Sequence, residues 1–501
     1  MSRHDFRPAS RRRVLQFLAT GPLMTAGPLA AFGQVLPARP PDPMVWAPRD
    51  LDNVITDPKQ ALDVFDFEPV AKKNLPPGHF GVMVTGADDE VTLRANREGF
   101  QKFQLRPRRL VDVSKIDMAT EIFGARYDSP IVIAPTGGNH AFHPDGEIAV
   151  AKAAKAGNHL QMLATGSSTS IEDAIAARAA PVWFQLYPTN QWDVAEALVM
   201  RAERAGSPVI ALTVDTLSPN NWETLARLRR SDTRNCADCH GGSLAQYVAR
   251  RPNFDGIDLT GATSFGAPNM NWDFIKRLRD TVKGKLLLKG ILAHEDAVLA
   301  GQAGIDAIIV SNHGGRFGDP GRATIDALPE IVEAVGGGMP VLIDSGFRRG
   351  TDIVKALALG ARAVCVGRPY LWGLGAFGQP GVERVLEILR KELHAAMQQL
   401  GAPTLRDITR RWCGAPDDEC AYPFSDNERD RGQCELEPRR ARTCFSTSKV
   451  FTIRAGTWWR AAIPDPSGCV ALAARKAPTP VFRRASGSTG PTDKGHSPPR
   501  R

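Results

Sequence analysis

Three ionisable residues in the middle of the sequence have side chains that suit acid–base chemistry on an acidic substrate. His313 and Arg316 stand in one short run, SNHGGR at residues 311–316, and Asp215 follows an apolar segment earlier in the chain. An imidazole titrates near neutral pH and can accept a proton from a substrate. The planar guanidinium of an arginine can bind both oxygens of a carboxylate, and an aspartate can orient the imidazole and balance its charge. Together these three residue types predict a site that removes a proton from a substrate bound by its carboxylate.

Short apolar segments must position these side chains, and each is followed by polar or glycine-rich sequence. Eight have the length and composition of buried strands: Ile131–Ala134, Gln161–Ala164, Val182–Leu186, Val209–Val214, Lys285–Lys289, Ala307–Val310, Val341–Asp344 and Ala363–Val366. Helix candidates lie between them: Gly146–Ala156, Trp192–Ala205, Glu295–Ala303, Pro329–Val335 and Gly350–Leu359. This alternation predicts an α/β fold, a (β/α)8 TIM barrel, here with an N-terminal helical extension and a poorly ordered C-terminal tail. A doubly wound sheet has the same periodicity and is the alternative.

The functional residues of a TIM barrel lie at the C-terminal ends of its strands. We therefore expect one end of the barrel to collect the polar residues that end or follow the predicted strands: Thr136, Gln185, Tyr187, Thr213, Asp215, Lys289, Ser311, His313, Arg316, Asp344, Gly346, Gly367 and Arg368. Basic, acidic and hydrogen-bonding groups thus converge on a single site.

Seven motifs in order make the chain resemble the FMN-dependent 2-hydroxy-acid oxidoreductases, the family of glycolate oxidase, L-lactate dehydrogenase and flavocytochrome b2. Besides SNHGGR, they are RPRRLVDV at 106–113, APTGG at 134–138, WFQLY at 183–187, LTVDT at 212–216, LLLKG at 286–290 and DSGFRRGTDIVKALALGA at 344–361. The resemblance covers roughly residues 67–412, and the context of several motifs at strand ends makes it specific. It implies FMN as cofactor, a small 2-hydroxy acid as substrate, and a homo-oligomer.

The resemblance also implies roles for individual residues. His313, Asp215 and Lys289 would be catalytic, and Lys289 would stabilise the negative charge that develops on the reduced flavin. Arg316 and Tyr187 would bind the substrate. The FMN would be held by a larger set: Thr136, Gln185, Thr213, Lys289, Ser311, Asp344, Gly346, Arg348, Gly367 and Arg368. The electrons would leave the flavin for a cytochrome or oxygen. Another FMN-dependent TIM-barrel enzyme, or a flavin or haem electron-transfer module without its own substrate, is the alternative function.

Three of these residues also fit purely structural roles. Lys289 fits a buried lysine paired with a carboxylate, and Asp215 fits a helix cap. Arg348 also fits a solvated pair with the adjacent Arg349, and we expect only one of the two to face the phosphate of the flavin.

The sequence departs from the family pattern around the substrate. Val82 stands where the family usually has a tyrosine that contacts the substrate, Gly166 replaces a bulky aromatic residue of the glycolate oxidases, and Ala164 replaces a serine that contacts the flavin. After the fourth strand, SPNNWETLARLRRSDTRN at 218–235 replaces an arginine-rich turn, so that no second arginine of the pocket can be placed. We expect a wider and less polar substrate pocket than that of a lactate or glycolate enzyme.

A motif in the same region matches the attachment sequence of c-type haem. Cys236 and Cys239 would form the two thioethers and His240 would ligate the iron. No small haem domain surrounds the motif, and a disulfide, free thiols or a bound metal also fit it.

The two ends of the chain differ from its middle in composition. Residues 1–33 combine paired arginines after Ser10 with an apolar run, which predicts a twin-arginine signal peptide and a periplasmic protein, although a basic arm also fits. Residues 34–60 are proline-rich and predict a linker, residues 61–412 are expected to form the FMN-binding barrel, and the tail 413–501 is predicted to be largely disordered.

The positive charge of the chain lies at its two ends. The ends carry net charges of about +4 (1–33) and +8 (421–501), leaving −3 for the middle. This excludes a basic nucleic-acid-binding body, and no apolar run after the N-terminus is long enough for a membrane span.

Overall fold

Eight parallel strands close into a barrel in the computed structural model, which describes residues 54–217, 220–234 and 244–414. In chain order the strands are β1 (Ile131–Ile133), β2 (Leu160–Ala164), β3 (Trp183–Leu186), β4 (Val209–Thr213), β5 (Lys285–Ile291), β6 (Ala307–Val310), β7 (Val341–Ile343) and β8 (Ala363–Val366). Each pairs with the next, and β8 pairs with β1 to close the barrel. The prediction of a TIM barrel is confirmed, and the doubly wound alternative is wrong.

The strands form where the sequence has apolar runs because both of their faces are buried. Side chains that point inward, among them Val132, Met162, Leu287 and Cys365, fill the barrel, and the alternate side chains pack against the helices. A hairpin formed by Thr120–Ile122 and Ala125–Tyr127 adds Ile122 and Tyr127 to the inner cluster. The interior is therefore a packed core, and a ligand can enter only at an end of the barrel.

Fourteen helices of the described residues surround or extend the barrel. They are α1 (Phe67–Asn74), α2 (Pro77–Val84), α3 (Val91–Glu98), α4 (Gly146–Ala156), α5 (Ile171–Arg178), α6 (Trp192–Arg204), α7 (Glu223–Arg230), α8 (Leu244–Val248), α9 (Trp272–Thr281), α10 (His294–Gln302), α11 (Thr324–Val335), α12 (Gly350–Ala358), α13 (Arg368–Phe377) and α14 (Gln379–Leu400). The prediction of a helix start at Pro329 is wrong, because α11 begins at Thr324 and contains that proline.

Helices α1, α2 and α3 precede the barrel and form an N-terminal extension that contributes residues to the site. Helix α1 packs on α13, and α2 packs on α7, which brings Val82 and Met83 of α2 to the C-terminal end of the barrel. At the other end of the described chain, Gln104–Leu105 pairs antiparallel with Cys413–Gly414. The extension is thus part of the folded body that builds the site.

Several sequence predictions fall outside the described residues. These are the signal peptide at 1–33, most of the linker at 34–60, the Cys236, Cys239 and His240 motif, and the tail beyond Gly414. The end of the linker, Pro58–Gln60, forms one turn of 3-10 helix capped by Asp57. Among the described residues, no helix has the length and apolar character that crossing a membrane requires.

Candidate active site

A cavity of about 620 Å³ lies at the C-terminal ends of the barrel strands. Ten of the predicted site residues line it: Thr136, Tyr187, Lys289, His313, Arg316, Asp344, Gly346, Arg348, Gly367 and Arg368. The other four, Gln185, Thr213, Asp215 and Ser311, are buried or half-buried and hydrogen-bond to a lining residue or to each other. The structure therefore brings together residues from all parts of the barrel.

His313 is held in a defined orientation at the cavity. Its Nδ1 lies 2.9 Å from Oδ1 of Asp215, and its Nε2 lies 3.3 Å from the hydroxyl of Tyr187. The residue has a left-handed backbone conformation, with φ of 56°, and its amide N–H donates to Oγ of Ser311 at 3.1 Å. Because the carboxylate of Asp215 accepts a hydrogen bond from Nδ1–H, the neutral ring has its lone pair at Nε2. Asp215 is therefore a partner of the imidazole, and not a helix cap.

The charges around His313 favour its neutral form. Burial lowers the pKa of His313, and the opposing effect of Asp215 does not restore the ordinary value because Lys289 adds a positive charge. Burial alone would raise the pKa of Asp215, but His313 and Lys289 outweigh it and lower the pKa of this carboxylate. At neutral pH the site thus holds a charged Asp215 and an imidazole that can accept a proton.

Lys289 is a buried cation at the end of β5. Its Nζ lies 2.9 Å from Oγ of Ser311 and 3.2 Å from Oδ2 of Asp344. Burial would lower the pKa of Lys289, but Asp344 and Asp215 outweigh it and raise the pKa above the ordinary value. Both interpretations of the sequence therefore apply to Lys289, because it forms a buried ion pair and also lines the cavity.

Arg316 is clamped from two sides at the mouth of the cavity. Its guanidinium carbon lies 5.0 Å from the ring centre of Trp222, and one of its Nη atoms donates to the carbonyl of Val82. The indole N–H of Trp222 donates to the backbone carbonyl of Arg316 at 2.8 Å. Burial and the neighbouring Arg368 lower the pKa of Arg316 to about 10, so the group keeps its charge at neutral pH. This orientation suits a carboxylate.

A second group of residues fits the phosphate of FMN. Arg348 and Arg368 both line the cavity, and burial together with neighbouring guanidinium groups lowers the pKa of Arg348. A Cβ on Gly367 would meet nothing within 4 Å, so there is open space in front of the N-terminus of α13, which begins at Arg368. A helix N-terminus with two convergent cations is a site for an anion. Arg349 instead pairs with Asp63 and Glu392, each at 2.8 Å, so only Arg348 of the adjacent pair lines the cavity.

Gly346 holds the turn between β7 and α12 in a conformation that suits glycine. Its φ is 84°, and a Cβ at this position would lie 2.1 Å from the carbonyl oxygen of Asn96. Close by, Arg368 donates to the carbonyls of Met83, Thr85 and Gly314 at 2.7, 2.9 and 3.0 Å. The phosphate end is thereby tied both to α2 and to the SNHGGR run.

Hydrogen-bonding groups for the flavin ring end the neighbouring strands. The side-chain amide of Gln185 donates to Oγ1 of Thr213 at 2.8 Å, and both residues are buried. Thr136 lines the cavity after β1. Thr136, Gln185 and Thr213 could hold the polar edge of a flavin, whereas Ala164, where the family has a serine, adds only an apolar surface.

Sequence reasoning missed most of the walls around His313. Trp222, Tyr247, Phe265 and Phe317 line the cavity, and the Phe317 ring centre is 4.5 Å from that of His313. Three of these residues, Trp222, Tyr247 and Phe265, belong to the long connection between β4 and β5, and Phe317 follows the SNHGGR run after β6. The aromatic residues were visible in the sequence, but no periodic pattern showed which of them face the cavity.

Similarity to known proteins extends over the whole barrel. A family model described as FMN-dependent dehydrogenase matches residues 71–415. The peroxisomal (S)-2-hydroxyacid oxidase GLO3 of Arabidopsis thaliana is 42% identical over 353 residues, which cover 70% of this chain and 96% of that protein. The L-lactate oxidase of a Nostoc species is 41% identical over 355 residues, or 69% and 96% of the two chains. A soluble mutant of the membrane-associated (S)-mandelate dehydrogenase of Pseudomonas putida has 36% identity and a TM-score of 0.65, covering 71% and 100%.

Proposed function

The chain belongs to the FMN-dependent dehydrogenase family, and we propose that it oxidises 2-hydroxy acids larger than lactate and glycolate, with an apolar side chain next to the reacting carbon. Its general activity is FMN-dependent oxidation of a 2-hydroxy acid to the 2-oxo acid. The observation that supports the chemistry is the placement of His313, Arg316 and Lys289 around one cavity.

The residues divide the work of removing two protons and two electrons from the carbinol group. Arg316 binds the substrate carboxylate, and Nε2 of His313 accepts a proton that the carbinol group loses. Asp215 stabilises the imidazolium that results, and the buried charge of Lys289 stabilises negative charge that develops in the cavity. FMN, when bound, would accept the two electrons and the second proton.

The size of the substrate is argued from the walls next to His313. Val82 and Gly166 present little side chain, and the surrounding apolar surface comes from Trp222, Leu225, Tyr247, Phe265 and Phe317. An apolar wall binds an apolar side chain through removal of both surfaces from water.

The test is a series of 2-hydroxy monocarboxylic acids from glycolate and lactate to 2-hydroxyoctanoate and mandelate. We expect kcat/KM to rise with the apolar surface of the side chain, since each buried CH₂ contributes about 0.8 kcal/mol. Gly166→Phe should reverse the order, because a Cβ at this position would lie 3.1 Å from the Tyr247 hydroxyl and a phenylalanine would displace that wall. A wild-type preference for lactate or glycolate over every larger acid would contradict the proposal.

We propose that the electrons leave for a one-electron carrier and that the motif of Cys236, Cys239 and His240 binds haem c. Two points support this: the motif matches the attachment pattern, and in sequence it stands between α7 and α8, which both contribute residues to the cavity. A haem stain of the denatured protein should be positive and should disappear in Cys236→Ser. A negative stain of the wild type would favour a disulfide, free thiols or a metal.

We propose that the protein is exported to the periplasm by the twin-arginine route, on the strength of the sequence at 10–32. Cell fractionation should place the wild type in the periplasm and a double variant, Arg11→Lys with Arg12→Lys, in the cytoplasm. The variant keeps the charge and removes only the arginines. An unchanged distribution would contradict this route.

A homo-oligomer is proposed from the family resemblance and from two large apolar side chains on the surface of the N-terminal part. Leu62 and Leu110 are fully or almost fully exposed in the single chain. Light scattering after size-exclusion chromatography should give a multiple of the mass of one chain, which is 54.3 kDa before a signal peptide is removed, and a monomer would contradict the proposal.

A further inference from the structure

An arginine outside the chemistry described above lines the same cavity. Arg251 follows α8, and its guanidinium carbon lies 4.4 Å from the ring centre of Tyr247. Its Nε is buried and has no hydrogen-bond partner among the described residues. A buried donor of a charged group is costly when it is left unsatisfied, so this position calls for an acceptor from a bound molecule.

A continuous aromatic wall connects this arginine with the reacting end of the cavity. The ring of Tyr187 stacks on His313 at 6.4 Å between ring centres, and Phe265 meets Tyr187 at 6.0 Å. Tyr247 meets Phe265 at 4.9 Å and carries Arg251 on its face. Arg251 and His313 therefore lie at opposite ends of one wall, which fits an elongated substrate whose carbinol group is at His313.

Two glycines make room for this arrangement on the other side. A Cβ on Gly138 would lie 3.2 Å and 3.3 Å from the two Nη atoms of Arg251. A Cβ on Gly166 would lie 3.1 Å from the hydroxyl of Tyr247. A larger residue at either position would displace the side chain opposite, so the glycines belong to a built site.

Among the described residues that line the cavity, none offers a free carboxylate to balance the charge of Arg251. Asp344 is the only acidic residue among the described residues that line the cavity, and it already pairs with Lys289. The phosphate of FMN is assigned to Arg348 and Arg368, and Arg229, which also lines the cavity, is exposed. The buried and unpartnered Nε distinguishes Arg251 as the arginine for an anionic group of the substrate.

We propose that Arg251 binds a second carboxylate at the far end of the substrate, so that the enzyme prefers 2-hydroxy dicarboxylic acids with an apolar middle. This inference rests on the proposed function, because it places the carbinol group at His313. It deepens that function by defining both ends of the substrate: Arg316 binds the carboxylate next to the carbinol carbon, and Arg251 binds the distal carboxylate.

The test compares acids that differ only in the distal group. KM is measured on the FMN-loaded enzyme for 2-hydroxyhexanedioate and 2-hydroxyhexanoate, and for the eight-carbon pair 2-hydroxyoctanedioate and 2-hydroxyoctanoate. We expect the wild type to favour the diacid of at least one pair, and Arg251→Leu to raise KM for that diacid about tenfold or more without changing KM for the monoacid. Arg250→Leu is the matched control, because Arg250 is exposed and does not line the cavity.

Three results would overturn the inference. They are a wild-type preference for the monoacid in both pairs, equal effects of Arg251→Leu on both acids, and loss of FMN from Arg251→Leu, which would assign this arginine to the flavin. Failure of the proposed function looks different, since no acid of either kind would then reduce the bound FMN. In that case Arg251 is still tested by the binding of the 2-oxo diacid, which is monitored through the change in flavin absorbance. Equal affinities of the wild type and Arg251→Leu would contradict the role of Arg251.

Discussion

Oδ1 of Asp215 lies 2.9 Å from Nδ1 of His313, and this hydrogen bond fixes which ring nitrogen faces the cavity. Because Nδ1 carries the proton and donates a hydrogen bond to Asp215, Nε2 is the basic atom of the neutral ring. The same carboxylate compensates the charge of the ring after proton transfer. Asp215 thus acts through His313, as a positioning residue.

Asp215→Asn should lower kcat by a large factor and leave FMN bound. An amide can donate to Nδ1 and so favour the wrong tautomer, a change that in a serine protease costs about 10⁴ in kcat. The measurement is kcat together with the flavin content of the purified variant. Asp273→Asn is a suitable control, because this exposed residue lies on α9 away from the cavity. A kcat within a factor of a few of the wild type would contradict the role of Asp215.

The pH dependence follows from the direction of the pKa shift at His313. Burial lowers this pKa below the ordinary 6.5, and the deprotonated ring is the active base, so kcat/KM should be constant at neutral pH and fall only below pH 6.5. Asp215 raises the pKa of His313. The residual activity of Asp215→Asn should therefore fall at a lower pH than the activity of the wild type. An acid limb above pH 6.5 in the wild type, or a shift to higher pH in the variant, would show that another group titrates.

Trp222 should matter mainly for substrate binding through Arg316. Trp222→Ala removes both the stacked ring and the indole hydrogen bond to the Arg316 carbonyl, which together contribute about 1–3 kcal/mol. We expect KM to rise about tenfold with a smaller fall in kcat, and Trp222→Phe to lie between wild type and Trp222→Ala. Equal KM values in all three proteins would mean that Arg316 needs no clamp.

The adjacent arginines Arg348 and Arg349 provide a matched pair. Arg348→Leu removes a buried cation from the proposed phosphate site and should weaken FMN binding by about tenfold or more. Arg349→Leu removes half-exposed ion pairs with Asp63 and Glu392, so FMN should stay bound while the free energy of unfolding falls by about 1 kcal/mol or less. Flavin content, the FMN dissociation constant and chemical denaturation distinguish the two. Loss of the flavin from Arg349→Leu would instead assign the phosphate of FMN to Arg349.

The barrel could be predicted from sequence because its strands are buried on both faces, which leaves continuous apolar runs such as Ala307–Val310 that the structure reproduces with the same bounds. Pairings across long sequence separations could not be predicted. Arg348 and Arg349 look equivalent in sequence, and only Asp63 and Glu392, from distant elements, separate them.

The substrate end of the site was predicted least well. Most of its aromatic residues come from the long connection between β4 and β5, where no periodic pattern shows which side chains face the cavity. Arg251 becomes a candidate only when folding places it on Tyr247 and beside Gly138. The sequence could not place a second pocket arginine in the segment after β4, whereas folding brings Arg229 of that segment to the cavity. The indole of Trp222 over Arg316 could not be predicted either.

The most direct test of the account is the anaerobic reduction of the bound flavin by a 2-hydroxy acid, followed by absorbance, in the wild type and in His313→Gln. The account predicts a yellow wild-type protein that bleaches on mixing, and a variant that retains its FMN but bleaches about 10²- to 10⁴-fold more slowly, since it lacks the base. A wild type without bound flavin, or a variant that bleaches as fast as the wild type, would contradict it.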